Sequence, residues 1–167
     1  VAEKLGVILC EQPPLGVGVA TAFEQLESQF SPAAFVETAA NMLDDGGVLF
    51  MTTRTGSGFD HQILQDRTPY VFVPEHLNLL SIEGLSVLVE RCGLELLELS
   101  TPGQLDLELV EHAAAHDPSI RLPDFVRYLL ENRDSEAHLD FQSFLQKHRL
   151  SSHVRIAALK NAKESPR

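Results

Sequence analysis

The sequence has no tryptophan and only two cysteines among its 167 residues. Cys10 and Cys92 lie far apart, and neither belongs to a CxxC pair or to a Cys/His set with metal-ligand spacing. Two thiols in a chain of this size do not make the disulfide framework of a small secreted domain. The cysteine usage therefore excludes a disulfide scaffold and predicts a reducing, cytoplasmic setting.

Basic residues are also scarce. The chain has 13 Lys and Arg against 24 Asp and Glu, which gives a net charge of −11. The one basic run is the tail from Lys160 to Arg167, so the surface offers no footprint for nucleic acid or anionic lipid. No apolar run approaches the roughly 20 residues that span a bilayer, and no basic segment followed by an apolar core opens the chain. We expect neither membrane nor nucleic-acid binding.

The first half of the chain has the pattern of an α/β fold. The composition, 44% hydrophobic and 22% charged, is typical of a globular protein. Val7 to Gln12 and Val17 to Phe23 are apolar runs of strand length. Ser31 followed by Pro32 predicts the start of a helix, and the apolar run from Gly47 to Thr53 predicts a buried parallel strand.

The second half begins with an irregular stretch and becomes mostly helical. Residues 54–80 show no periodicity and predict a long functional loop, Ser81 begins a helix that ends at Gly93, and 94–100 reads as a strand. Residues 105–116 fit either a strand or, as we prefer, a helix, and helices are predicted from Pro123 and from a cap at Ser135. The predicted organisation is a partial core over 1–100, a helical insertion over 101–150, a final strand over 151–160 and a tail over 161–167.

Two stretches of this pattern resemble a known family. "VATAFEQLE" followed by a helix and then "LDDGGVLFMTT" is similar to the fourth strand, next helix and fifth strand of class I S-adenosylmethionine (SAM)-dependent methyltransferases. "GSGFD", "PEHLNLLS" and "RLSSHVRIAALK" resemble the later part of a small-molecule branch of that family, so the resemblance covers nearly the whole chain. Gly18 and Ser28 depart from the family pattern, which has Asp and often His there. The residues that match are Thr21, Phe23, Glu24, Leu26, Glu27, Leu43, Gly46, Gly47, Leu49 and Thr52.

The resemblance implies a Rossmann-like α/β fold with the sheet order 3-2-1-4-5-7-6 and an antiparallel last strand. It also implies SAM as the cofactor and a small molecule or sugar as the acceptor. The family's Gly-rich loop, E-x-G-x-G-x-G, and its ribose-binding acid are absent from these 167 residues. We therefore interpret the chain as the C-terminal part of a methyltransferase domain, weak or inactive alone, whose open sheet edge favours self-association into a homo-oligomer.

The resemblance places the cofactor next to the second strand. It makes Phe23, Glu24 and Glu27 the candidate cofactor-binding residues, at the carboxyl edge where open α/β sheets bind ligands. The alternative is that the two glutamates are acids favoured by the N-terminus of a helix.

The loop that follows the next strand supplies the acceptor candidates. Arg54, His76 and Asn78 are predicted to bind the acceptor, and His76 is predicted to be the catalytic base, because histidine is the commonest general base. The alternative for His76 is a histidine that hydrogen-bonds a backbone carbonyl and holds the loop in shape.

Other readings carry less weight. His112 and His116 have a zinc-compatible spacing but lack a third ligand, so no metal is expected. A solvent-facing position is preferred for His153 and Arg155.

A non-catalytic, degenerate methyltransferase or assembly module is the main rival function, whereas a hydrolase would need the absent G-x-S-x-G elbow. The aromatic residues predicted to form core, or a cap over the acceptor, are Phe125, Tyr128, Phe141 and Phe144.

Overall fold

The computed structural model describes residues 14–162, so the predicted strand at 7–12 lies outside the described residues. Within them, four strands form one mixed sheet in the order β1-β2-β4-β3. The strands are β1 (Val17–Phe23), β2 (Leu43–Arg54), β3 (Leu94–Ser100) and β4 (His153–Lys160). This is the order expected for strands 4-5-7-6 of the family, and the α/β prediction is confirmed.

β1 and β2 are parallel and are connected by helix α1 (Pro32–Met42). The Ser31 side chain accepts a hydrogen bond from Ala34 N, and Pro32 occupies the first helical position, as predicted. Helix α3 (Ile82–Arg91) is capped in the same way by Ser81, and Gly93 has a φ of 78°, the left-handed conformation that ends helices.

β4 lies between β2 and β3 and is antiparallel to both. The register pairs Arg54 with His153, and Ser100 with Arg155. The carboxyl ends of β1, β2 and β3 therefore share one edge of the sheet with the amino end of β4. That edge is the one at which ligands bind in α/β sheets.

The main core lies between the sheet and helices α1 and α3. It is aliphatic, and Leu49, Met51, Leu85 and Ile156 are among its fully buried side chains. A smaller core of Leu64, Val110 and Val126 lies among the remaining helices. These helices are α2 (Phe59–Leu64), α4 (Asp106–His116), α5 (Asp124–Asn132) and α6 (Ser135–Lys147).

Three expectations about this second half are corrected. Residues 54–80 are not irregular throughout, since they contain helix α2 and a 3-10 turn at 65–67. Asp134, not Ser135, caps α6, because its Oδ1 accepts the Ala137 N–H at 3.0 Å. Phe125, Tyr128 and Phe144 are not core: their exposed fractions are 63%, 51% and 48%. No helix among the described residues is long and apolar enough to cross a membrane.

Candidate functional site

Glu24 directly follows β1 and has an unusual backbone. Its φ of 48° lies in the left-handed region, which is uncommon for a residue other than glycine. Its N–H donates to Thr52 O at 3.0 Å, so the β1–β2 ladder holds it in this conformation. Backbone strain of this kind concentrates at functional sites, where the surrounding structure over-determines it. The strained backbone therefore marks Glu24 as a candidate functional residue.

The Glu24 carboxylate contacts two side chains from neighbouring strands. Its Oε2 lies 3.7 Å from Arg54 Nε, and its Oε1 lies 3.4 Å from His153 Nδ1. The three side chains are partly exposed, at 41% for Glu24, 37% for His153 and 18% for Arg54. The register of β2 and β4 brings Arg54 opposite His153, and the end of β1 brings Glu24 beside them. The result is a Glu–Arg–His cluster at the carboxyl edge of the sheet.

A cavity of about 440 Å³ opens beside this cluster. The Arg54 guanidinium lies 4.6 Å from the centre of the Tyr70 ring, a cation–π contact that shapes one wall. Apolar side chains supply part of the lining, and hydroxyl, carboxylate and imidazole groups supply the rest. A mixed lining of this size is typical of small-molecule sites. The lining residues are Arg54, Tyr70, Pro102, Gly103, Gln104, Leu105, Asp106, Leu109, Ser151, Ser152 and His153.

Asp106 anchors the lining at the start of α4. Its carboxylate is buried and accepts hydrogen bonds from Ser151 Oγ at 2.6 Å, from Ser152 N at 2.8 Å and Oγ at 3.2 Å, and from Gln142 Nε2 at 2.6 Å. These donors come from α6 and from the segment that leads into β4. Gly103 lies so close to Ser151 that a Cβ at this position would fall 2.1 Å from Ser151 Oγ. One carboxylate thus ties the helical half to the sheet.

Asp60, in α2, is a second carboxylate near this anchor. It is fully buried, and neither of its oxygens has a hydrogen-bond partner among the described residues. Burial raises the pKa of Asp60, and the charge of Asp106 raises it further. The Ser152 hydroxyl lowers the pKa in part, although its geometry falls short of a hydrogen bond. Burial therefore makes the charged form of Asp60 less favourable than it is in water.

Glu27, predicted to bind the cofactor, is 1% exposed. Its Oε2 accepts the Thr53 hydroxyl at 2.9 Å, while Oε1 has no partner among the described residues. Burial raises its pKa, and the charge of Glu24 adds to the rise. Its backbone carbonyl accepts the N–H groups of Leu77 and Asn78, at 2.7 and 3.0 Å. Every contact of Glu27 in the described residues joins β2 and the loop, so its cofactor role stays a prediction.

The loop residues take different positions. The His76 ring Nδ1 accepts the Phe72 N–H at 3.2 Å, so its described ring contacts are within its own loop, and His76 does not line the cavity. Asn78 donates from its side chain to Gln29 O and also holds the loop in place. The structure therefore does not bring His76 and Asn78 to Arg54, and their acceptor-binding roles stay predictions. Phe23 is 55% exposed and packs edge-to-face on Phe50.

Sequence patterns favoured a solvent-facing position for His153 and did not single out Asp106 or Tyr70, although all three line the cavity. One signal could have indicated His153: the sheet order implied by the resemblance places the start of the last strand opposite Arg54. No comparable signal marks Asp106, because its hydrogen-bond donors lie 36 to 46 residues away in the chain. No group of three or more metal-ligating side chains occurs within residues 14–162. His112 and His116 stack on each other at 4.1 Å.

Comparison with known proteins agrees with this architecture. Residues 9–99 match the model of a family described as "Methyltransferase domain", and the chain belongs to this family. The fold, with its 4-5-7-6 strand order, is that of class I SAM-dependent methyltransferases. No curated protein matches the chain.

Solved structures share the fold at low sequence identity. A SAM-dependent methyltransferase from Thermotoga maritima is 18% identical (TM-score 0.55), with 96% of this chain and 67% of that chain covered. A chain of a complex that contains the Haloferax volcanii Trm112 methyltransferase activator is 13% identical (TM-score 0.56), with 93% of this chain and 60% of that chain covered. The mycolic acid cyclopropane synthase CmaA1, complexed with SAH, is 16% identical (TM-score 0.51), with 90% of this chain and 57% of that chain covered. The chain thus spans about 60% of the length of two of these structures.

The family implies SAM, and the described residues fit one end of it. The half-exposed Glu24 carboxylate at the carboxyl end of β1 suits the positive ammonium and sulfonium groups of the methionine moiety. The exposed Phe23 ring beside it offers an apolar surface. Within residues 14–162, a turn with two glycines, Gly56 to Gly58, joins β2 to the six-residue α2, but Gly58 packs against Ser152. The E-x-G-x-G-x-G pattern that would hold the rest of the cofactor does not occur in these residues.

Proposed function

We propose that this chain is the acceptor-binding part of a SAM-dependent methyltransferase that acts on a small-molecule or sugar-type acceptor. The proposal rests on one observation: Glu24, in a strained backbone conformation at the carboxyl end of β1, contacts two residues that line a 440 Å³ cavity. When bound, SAM supplies an electrophilic methyl group. Glu24 would bind its methionine end, and the cavity would hold the acceptor.

The residues of the chain have separate tasks in this proposal. Methyl transfer is an in-line displacement, so the protein must position the nucleophile and exclude water. Tyr70 and Leu109 would orient the apolar part of the acceptor, and Arg54 and His153, which also line the cavity, would contact its polar part. The volume suits a small molecule and would not admit a folded macromolecule.

Calorimetric titration of SAM and S-adenosylhomocysteine tests the proposal. We expect binding by the 167-residue chain, or by a longer product of its gene that carries a Gly-rich turn, and a loss of about tenfold in affinity for Glu24→Gln, equal to one lost charge-assisted hydrogen bond. Glu136→Gln, which removes an exposed carboxylate at the start of α6, serves as the control and should bind normally.

Each outcome has a clear meaning. Binding by the longer chain alone would locate the remaining cofactor contacts outside these residues. Absence of binding in both chains would overturn the proposal in favour of a non-catalytic module. Equal affinity of Glu24→Gln and the parent would remove Glu24 from the cofactor site.

A further inference from the structure

We propose that His153 is the catalytic base of the cavity, with Glu24 as its positioning residue, and that it takes the proton from an acceptor hydroxyl on an apolar frame. The inference rests on the proposed function, because it assigns a role within the same site. His76, predicted from the sequence as the base, is the alternative, and its Nδ1 accepts the Phe72 N–H of its own loop. The first supporting observation is the 3.4 Å approach of Glu24 Oε1 to His153 Nδ1.

The contact favours Nε2 as the free ring nitrogen. A carboxylate accepts hydrogen bonds and cannot donate them, so it favours the tautomer, or the protonated ring, with the hydrogen on Nδ1. In the neutral ring, Nε2 then carries the lone pair. His153 lines the cavity, and Nε2 is the nitrogen left for a bound molecule. A histidine oriented in this way by a carboxylate is the arrangement that general-base catalysis requires.

The cluster can also stabilise both charges that the proton transfer creates. The O–H bond breaks, the electron pair stays on the acceptor oxygen, and the proton goes to His153 Nε2. Glu24 stabilises the imidazolium through Nδ1. Arg54 lines the same cavity, and its contacts within residues 14–162 are a long ion pair and the Tyr70 ring, so its donors can approach the oxyanion.

The neighbouring charged groups do not compete for the contact between Glu24 and His153, because they have partners of their own. Arg155, on the same face of β4, is occupied by Glu98 at 2.6 Å, and Asp106 has its four hydrogen-bond donors. Gly103 packs against the histidine, with its ideal Cβ position 3.3 Å from His153 Cβ. Among the described residues, the titratable and charged groups that contact this pair or line the same cavity are Arg54, Tyr70 and Asp106. Arg155 lies on the same face of β4, and the buried Glu27 interacts with the charge of Glu24.

The lining indicates the class of acceptor. The lining combines the apolar surfaces of Tyr70, Leu105 and Leu109 with the polar side chains of Arg54 and His153. A hydroxyl on an apolar frame matches this mixed lining. A nucleophile of this kind must lose its proton, which is the case in which a base contributes to methyl transfer.

A chromogenic hydroxyl compound, 4-nitrophenol, tests the assignment without SAM. Bound in the cavity at a pH below its own pKa, it should be ionised about tenfold more than in water, as a shift of one pKa unit requires. His153→Gln should bind the dye but abolish the shift, whereas a purely structural residue would affect binding as well. Glu24→Gln should reduce the shift, and His116→Gln, on an exposed helix face, should leave it unchanged.

Two outcomes would overturn the inference: the dye fails to bind, or its ionisation shift persists in His153→Gln. Because the assay contains no SAM, either outcome is independent of whether SAM binds in the calorimetric test. Nitrogen NMR of the unaltered chain tests the assignment without any variant, so misfolding of a variant cannot affect the result. The expected spectrum at high pH shows His153 with its hydrogen on Nδ1, and a ring with its hydrogen on Nε2 would reject the assignment.

Discussion

The sheet half and the helical half of this chain are stabilised differently. In the sheet half, Val36, Leu85, Val89 and Ile156 are fully buried in a continuous aliphatic core. The helical half, α2 and α4–α6, has a smaller apolar core around Leu64, Val110 and Val126, and it also has polar contacts to one buried carboxylate, Asp106. Apolar packing tolerates sequence change, whereas a hydrogen-bond network needs particular donors. The helical half is therefore the more fragile of the two, and it forms much of the cavity.

The largest expected effect comes from the anchor of the helical half. Asp106→Ala leaves three donors without an acceptor, while Gln142 Nε2 keeps its hydrogen bond to Gly103 O, and since each buried unsatisfied group costs about 1–3 kcal/mol, we expect a loss on the order of 4 kcal/mol. Hydrogen exchange should show α4–α6 losing protection while β2 and β4 keep theirs. Asp140→Ala, at an exposed site in α6, is the control. Uniform loss across both halves would mean that they unfold as one unit.

The next effect compares the two apolar cores. Leu85→Ala in the main core should cost about 3 kcal/mol, because a large side chain leaves a cavity in a closely packed site. Val110→Ala in the smaller core should cost about 2 kcal/mol, the value for two buried methyl groups. Urea unfolding of both variants measures the difference. A larger loss for Val110→Ala would contradict the view that the sheet half holds most of the apolar stability.

The buried Asp60 adds a pH dependence. Its pKa is higher in the folded state than in the unfolded state. Between these two pKa values the native state binds more protons than the unfolded state does. The free energy of unfolding therefore falls as pH rises through that window. Asp60→Asn removes the ionisation and should therefore gain stability at neutral pH, the direction that a raised carboxyl pKa requires. The gain should vanish in acid. Thermal unfolding across pH measures it, with Asp140→Asn as the control, and a gain independent of pH would refute ionisation of Asp60 as its cause.

The smallest expected effect concerns the exposed aromatic residues of the helical half. Phe125→Ser should change stability by no more than about 0.5 kcal/mol, because surface substitutions away from special features stay in that range. Val126→Ala, at the neighbouring buried position, should cost about 2 kcal/mol. Denaturant unfolding compares the two. A large cost for Phe125→Ser would show that the aromatic face packs more closely than its exposure indicates.

Local sequence signals predicted much of the sheet half. Ser31 and Pro32 marked the start of α1, Ser81 marked the start of α3, and Gly93 marked its end, since caps act within one helical turn. The order of the strands followed from the family resemblance. In the helical half, the cap of α6 was placed one residue late, and α2 was missed because its six residues are too few to show periodicity.

The candidate site was predicted only in part. Glu24 and Arg54 were selected because both follow strands of a parallel pair, and such ends share one edge of a sheet. His153 was set aside because an alternating strand does not reveal which neighbours its polar face meets. Pairing with β2 decides that, and it is a contact over 99 positions of the chain, from Arg54 to His153.

The sequence by itself determined the α/β class, the caps of α1 and α3, the acidic surface and the two residues, Glu24 and Arg54, that mark the carboxyl edge. Each of these depends on neighbouring residues or on composition. Only the tertiary structure decided that His153 lies against Glu24, that Asp106 ties the helices to the sheet, and that Asp60 is buried without a hydrogen-bond partner among the described residues. These features depend on distant segments meeting, and the burial and charge of a group are set where they meet.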